Sequence, residues 1–371
     1  MNPFLNLSIK LYLPIGTAVC LGIAISWLLS HPWVQNRSDR ALHRIVPGYL
    51  GKFLFFIGVP IGVVNFIRKA DLSGSIYLSP VVAWFSILLG ILCAWLWLRN
   101  VREVWPIKSQ GSFTLVTMVG NTSYLGFPVI LLLPQLGPDY FGWAVLYDVL
   151  GTFFGAYGLG VILAAQWNRK AQAQSQSQSQ VQHKPKPVST ETDSREAMIA
   201  SFSEEAVARD QLRGSLPSQV PFGQIITEVF KSPNLFAFVL GLGLRTVVFP
   251  KWLDLGLSFV AWGVIMLALV LMGMRLQQLD SWQSLKAAFP AVGIKMFLVP
   301  LLVAMTLTSI GIEGPPRLVL ILQSAMPSAF GTLVLAETYN LDRELVVTSL
   351  GLSSALLLLM LPFWLWGFAT W

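Results

Sequence analysis

The chain has 371 residues, 54% of them hydrophobic and only 12% charged, with a formal net charge of +7. Soluble domains carry about 25% charged residues, so a water-soluble globule is excluded and a membrane protein is implied. The positive balance does not indicate nucleic acid, because the basic residues stand in short loops between apolar runs, the pattern that membrane topology produces.

A membrane-crossing helix needs about 20 mostly apolar residues. In chain order, ten runs meet that need: 10–30, 45–66, 76–98, 111–134, 141–166, 224–249, 256–276, 287–311, 317–337 and 345–370. The first, Leu11 to Leu29, lacks the charged leader and small-residue cleavage site of a signal peptide and reads as a retained span. Cys20 and Cys93 both fall inside apolar runs, so no disulfide framework is implied.

One hydrophilic segment interrupts the series at 168–222 and carries the tract "AQAQSQSQSQ". It has no apolar face to bury, so it is expected to be a disordered linker. It divides the chain into 1–167 and 223–371, each with five runs, and the halves look alike. The fourth run of each has a polar cluster and a proline near its middle, "GNTSYLGFP" and "LQSAMPSAFG". The second run of each ends in a polar step, "NFIRKADL" and "GMRLQQLD". An odd number of spans per half makes the second half enter the membrane from the opposite side. The expected fold is thus all-α and membrane-integral, with ten transmembrane helices as a 5+5 inverted repeat, an architecture associated with secondary transporters. Eleven basic residues flank the spans on the linker side against five on the other, which puts the linker in the cytoplasm and both termini outside.

Proline removes its own N–H and pushes away the carbonyl four residues earlier. Pro128 is therefore expected to free the carbonyl of Tyr124, and Pro327 that of Gln323, each near mid-span. Unsatisfied backbone in hydrocarbon costs several kcal/mol, so a broken span is tolerated where it lines a cavity or is buried in protein. Two breaks in corresponding places point to one shared central site, whereas Pro14, Pro60, Pro300 and Pro362 read as ordinary kinks. Half-helix N-termini carry partial positive charge, so the site leans toward anions.

Asn121, Thr122, Ser123, Tyr124 and Pro128 from one run, and Gln323, Met326, Pro327 and Ser328 from the other, are the candidate substrate-binding residues. Gln323, Ser324 and Ser328 offer donors to a carboxylate, while Met326 and Tyr124 suit an apolar part of a ligand. Ordinary helix packing also uses such small and polar residues. Asp148 and Lys295 are the deepest ionisable residues, and intramembrane charges are functional candidates. At about 1.5 Å per residue their backbones differ by only about 8 Å in height, so they read as a coupling pair or a structural ion pair. Lys52, Arg245 and Glu337 lie nearer span ends and read as snorkelling.

His31, His43 and His183 form no cluster, so no metal or other cofactor is expected. The sequence has no G-x-x-x-x-G-K-[ST], G-x-S-x-G or HExxH motif, which leaves no ATP-driven pump or intramembrane hydrolase to propose.

The stretches "GNTSYLGFP" (Gly120–Pro128), "SPNLFAFVLGLGL" (Ser232–Leu244), "LMGMRL" (Leu271–Leu276) and "QSAMPSAFGTLVLAETYNLDRELV" (Gln323–Val346) resemble the auxin efflux carrier family, which includes plant PIN-type carriers and bacterial malonate-type permeases. That resemblance implies proline-broken fourth and ninth helices that cross, elevator-like alternating access, and a homodimer. It implies transport of a small organic anion, auxin-like or a dicarboxylate, across the cell membrane. The coupling ion stays open between H+ and Na+. A membrane receptor that binds a metabolite and signals through the linker, and a passive channel, are the other readings of this composition.

Overall fold

The computed structural model describes residues 11–31, 42–101, 104–182, 232–277 and 284–368. The regular structure among the described residues is helix, with one isolated bridge between crossing segments and no strand. Among the described residues six helices are long and apolar enough to cross a membrane: α1 (Leu13–Ser30), α2 (Ile45–Lys69), α3 (Leu78–Val101), α9 (Lys251–Gln277), α10 (Leu285–Ser309) and α13 (Arg343–Phe368). The remaining elements are α4 (Ile107–Met118), α5 (Thr122–Leu132), α6 (Phe141–Tyr147), α7 (Val161–Gln182), α8 (Pro233–Gly243), α11 (Gly314–Ser324) and α12 (Gly331–Thr338).

Four expected spans are therefore not long unbroken helices. The run 111–134 is divided between α4 and α5, and 317–337 between α11 and α12. The run 141–166 starts as α6, widens through π turns at Asp148–Thr152 and Gly155–Gly160, and continues as α7. The run 224–249 shows α8 followed by one 3-10 turn, its residues 224–231 lying outside the described set. The tract "AQAQSQSQSQ" departs from expectation, because α7 carries it as helix to Gln182. Alanine and glutamine are good helix formers, and the Ser175 and Ser177 hydroxyls fold back onto the carbonyls of Ala171 and Ala173. The rest of the expected linker, 183–222, falls outside the described residues.

Three helical prolines are absorbed in the same way. The π turns Leu54–Gly58, Thr122–Gly126 and Ile294–Leu298 each precede a proline by two residues, Pro60, Pro128 and Pro300. The last N–H before each proline, from Val59, Phe127 or Val299, reaches back five residues, to Leu54, Thr122 or Ile294. The wider turn makes room for a ring that would otherwise strike the carbonyl four residues earlier. At Pro300 that carbonyl belongs to Met296, and the Trp364 indole donates to it at 3.2 Å.

The helices group into two bundles. In one, α1 packs along α9 and α8 along α2, with α9 also against α2. The α1–α9 contact is backbone on backbone: a Cβ at Gly22 would lie 2.0 Å from the Val270 carbonyl oxygen, and one at Gly273 would lie 2.0 Å from that of Val19. Without a hydrophobic force between helices in lipid, such close approach supplies the dispersion that holds them. Asp254 at the start of α9 pairs with both Arg68 and Lys69 at the end of α2, fixing the ends. The second bundle holds α3 to α7 and α10 to α13, and its interior is where the interrupted helices meet.

Candidate functional site

The backbone is interrupted at Val119–Asn121 in the first half and at Ala325–Phe330 in the second. Pro327 stands inside its interruption, whereas Pro128 sits in the first helical turn after a π turn. The first interruption thus precedes Pro128 rather than following from it, a correction to the expected break. The two open stretches cross and satisfy each other. The Asn121 N–H donates to the Pro327 carbonyl at 2.7 Å, and the Ala329 N–H to the Val119 carbonyl at 3.0 Å, making an antiparallel bridge between Gly120 and Ser328. The Ser328 hydroxyl donates to the Val116 carbonyl at 2.9 Å, and the Ser328 N–H to the Ser353 hydroxyl at 3.3 Å. Main-chain groups left open by the interruptions are thereby paired away from lipid, as a low-dielectric interior requires.

On one side of the crossing lies a cavity of about 400 Å³. Asn121, Thr122, Ser123 and Tyr124 line it together with Asp148, as the sequence suggested. Asn121 caps α5, its Oδ1 accepting the Tyr124 N–H at 3.3 Å. Its Nδ2 is buried without a hydrogen-bond partner. Asp148 sits in the π turn after α6 and accepts from the hydroxyls of Thr122 and of Ser123, the latter at 2.6 Å. A carboxylate thus rests at the N-terminal turn of α5, where unpaired N–H groups and the helix dipole favour negative charge.

Two cations share the cavity that sequence reasoning had placed elsewhere. Lys52 on α2 and Arg275 on α9 both line it, so Lys52 does not simply snorkel away. Arg275 lies over the Phe330 ring at 5.5 Å and donates to the Pro47 carbonyl at 3.4 Å. Arg275 belongs to the stretch "LMGMRL", and that motif is the sequence signal for it. Asn234 on α8 lines the cavity as well, with its Oδ1 buried and unpartnered. Phe55, Phe56 and Val59, on the same helix as Lys52, add an apolar part to the lining.

The other candidates stand apart from this cavity. Pro128 lines a small apolar gap against Phe141 and Val264. Pro327 and Ser328 form the crossing itself, and neither they nor Gln323 and Met326 line the cavity. Gln323 is fully buried with neither amide atom bonded, pressed so closely on Gly126 that a Cβ there would meet its Oε1 at 2.3 Å. Asp148 and Lys295 are both buried, yet among the described residues no ion pair joins them. The Lys295 ammonium instead donates to the Ser324 carbonyl at 3.2 Å, at the C-terminal end of α11. A Cβ on Gly120 would lie 3.2 Å from that nitrogen, which places the ammonium directly against the crossing. The last carbonyls of a helix carry partial negative charge, so a fixed cation is favoured there. Among the described residues no group of three or more His, Cys, Asp or Glu is placed to hold a metal.

A family model described as membrane transport protein matches residues 48–365. An uncharacterized transporter of Methanocaldococcus jannaschii is 25% identical over 324 residues, covering 85% of this chain and 88% of the relative. An uncharacterized transporter of Methanothermobacter thermautotrophicus is 24% identical over 323 residues, covering 85% and 87%.

Proposed function

Because this chain belongs to the membrane transport protein family, that of the auxin efflux carriers, and is a multi-pass membrane transporter rather than an enzyme, we propose that it is a secondary carrier of a small organic anion, an auxin-like acid or dicarboxylate. The observation that carries the proposal is the cavity beside the crossing, with two cations against one carboxylate and a buried amide donor without a partner. In this reading Arg275 and Lys52 hold the substrate carboxylate, Asn121 Nδ2 donates to it, and the Phe55–Phe56 wall receives its apolar part. Thr122 and Ser123 release Asp148 to the extent that the substrate draws their hydroxyls.

The finer architecture follows the same reading: ten spans in two inverted five-span repeats, with the fourth and ninth interrupted and crossing. The pairing of helices supports it, because α1 with α9 and α8 with α2 are the same contact exchanged between repeats. The bundle α1, α2, α8, α9 is the scaffold, and the crossing bundle moves against it as an elevator-type body, in a homodimer. The linker is cytoplasmic and both termini are outside, as the eleven-to-five bias of basic flanks requires. The cavity's cations come from the first turns of α2 and the last turns of α9, so this conformation faces inward.

For coupling, the Lys295 ammonium already neutralises the carbonyls at the crossing, where a mobile cation would otherwise bind. We therefore favour a proton, carried by Asp148, over sodium. Flux of labelled small carboxylates into proteoliposomes, with choline replacing sodium and at two pH values, tests the reading. Saturable, sodium-independent flux whose half-saturating concentration rises about tenfold in Arg275→Gln supports it. Binding without any flux or counterflow would instead make the protein a metabolite receptor, and non-saturating flux without counterflow a channel.

A further inference from the structure

A second and larger cavity, of about 730 Å³, lies away from the crossing between the C-terminal end of α3, the start of α4 and the stretch Leu163–Gln174 of α7. Its mouth carries Arg99 and Lys170, and its walls carry Trp95, Trp105 and Trp167. The guanidinium of Arg99 lies over the Trp95 ring at 5.0 Å, and the ammonium of Lys170 over the Trp167 ring at 4.5 Å. Both cations are exposed, and among the described residues neither makes an ion pair. Among the described residues no acidic side chain lines the cavity. Deeper in, Ile91, Leu98 and Leu163 line it beside buried Gln110 and Thr114, whose side chains donate to the Trp105 and Gln110 carbonyls.

This order of groups has the polarity of a phospholipid. Tryptophans collect at the headgroup level of a bilayer, and basic pockets between transmembrane helices hold anionic headgroups. A cation stacked on a ring keeps its N–H edge open for phosphate oxygens. From Arg99 back to Ile91 is eight residues of one helix, about 12 Å of depth, enough for the first part of an acyl chain. The soluble substrate of the crossing cavity has no use for such a taper. We propose that this cavity is a binding site for one anionic phospholipid, its phosphate between Arg99 and Lys170 and one acyl chain lying along Ile91 and Leu163. The lipid joins α3, α4 and α7, three helices of the crossing bundle, so its occupancy stabilises that bundle.

The purified full-length protein in neutral detergent provides the test, with thermal unfolding read against added phosphatidylglycerol, phosphatidylcholine or glycerol 3-phosphate. Phosphatidylglycerol is expected to raise the midpoint saturably, with the other two leaving it nearly unmoved. Each cation near an anionic headgroup contributes about fivefold in affinity, so Arg99→Gln with Lys170→Gln is expected to weaken the effect about 30-fold. Lys251→Gln, an exposed cation at the start of α9, serves as the control and is expected to change nothing. Native mass spectrometry of the wild type, counting one retained phosphatidylglycerol and no phosphatidylcholine, checks the same point without any variant. Equal shifts with phosphatidylcholine, or a full response in the double variant, would overturn the proposal. A full response to glycerol 3-phosphate would replace it with a site for free phosphate esters.

Discussion

The two bundles solve the same problem by opposite means. The bundle of α1, α2, α8 and α9 has no interruption of the kind seen at the crossing, and its longest contact, α1 on α9, is held by backbone approach at Gly22 and Gly273. The bundle around the crossing opens its helices and then repairs them across the gap, peptide to peptide at Asn121–Pro327 and Ala329–Val119. The first spends small residues to gain contact. The second spends helical continuity to gain a polar interior. The lesson is that interrupted helices are stable in a membrane when the interruptions meet.

That contrast predicts damage of different kinds on the two sides. The largest functional effect is expected at Asp148→Asn, which keeps the shape but removes the charge that the Thr122 and Ser123 hydroxyls hold. Flux should fall by about 100-fold or more, the scale of losing one charge-assisted contact group, while the unfolding midpoint moves only a few degrees. Unchanged flux would remove Asp148 from the mechanism. Gly273→Ala should do the reverse. Its methyl would press on the Val19 carbonyl, so α1 and α9 must separate at a cost of about 1–3 kcal/mol, read as a lowered unfolding midpoint with substrate affinity kept.

Arg275→Gln should raise the substrate concentration needed for half-maximal flux about tenfold, the value of one charged hydrogen bond, without a comparable change in maximal rate. The smallest expected effect tests the repair of proline sites. Trp364→Phe removes the indole donor to the Met296 carbonyl and should cost about 1 kcal/mol. Pro300→Ala restores an N–H four residues on from that carbonyl, so in the Pro300→Ala background the cost of Trp364→Phe should nearly vanish. A double-mutant cycle in chemical or thermal unfolding measures this directly.

Much of this arrangement was legible in the sequence, and the omissions have physical causes. The long spans were readable because hydropathy over twenty residues is a sum, insensitive to local detail. The polar cluster Asn121 to Tyr124 announced itself because four hydrogen-bonding side chains in an apolar run need a reason. The place of the break was not readable. Proline is accommodated by a break at Pro327, by a preceding π turn at Pro60, Pro128 and Pro300, and inside plain helix at Pro47, Pro290 and Pro362, and local sequence does not choose among these. Azimuth was not readable either: Asp148 and Lys295 stand at similar heights but face different neighbours, and Arg275 turns inward although its position along α9 suggested a flank. The helical Gln/Ser tract shows the converse error, since composition alone cannot tell an extended α7 from a disordered chain.

The crossing itself is made by peptide groups, which every residue carries. Its joint at Gly120 and Ser328 therefore places few demands on which side chains flank it, apart from the close seat of Lys295 against Gly120. Residues 121 to 124 and 329 to 330 can then be exchanged over evolutionary time with the joint intact. A scaffold built this way can change its cargo by local substitution and keep its architecture, so relatives that share the crossing can diverge widely in what they accept.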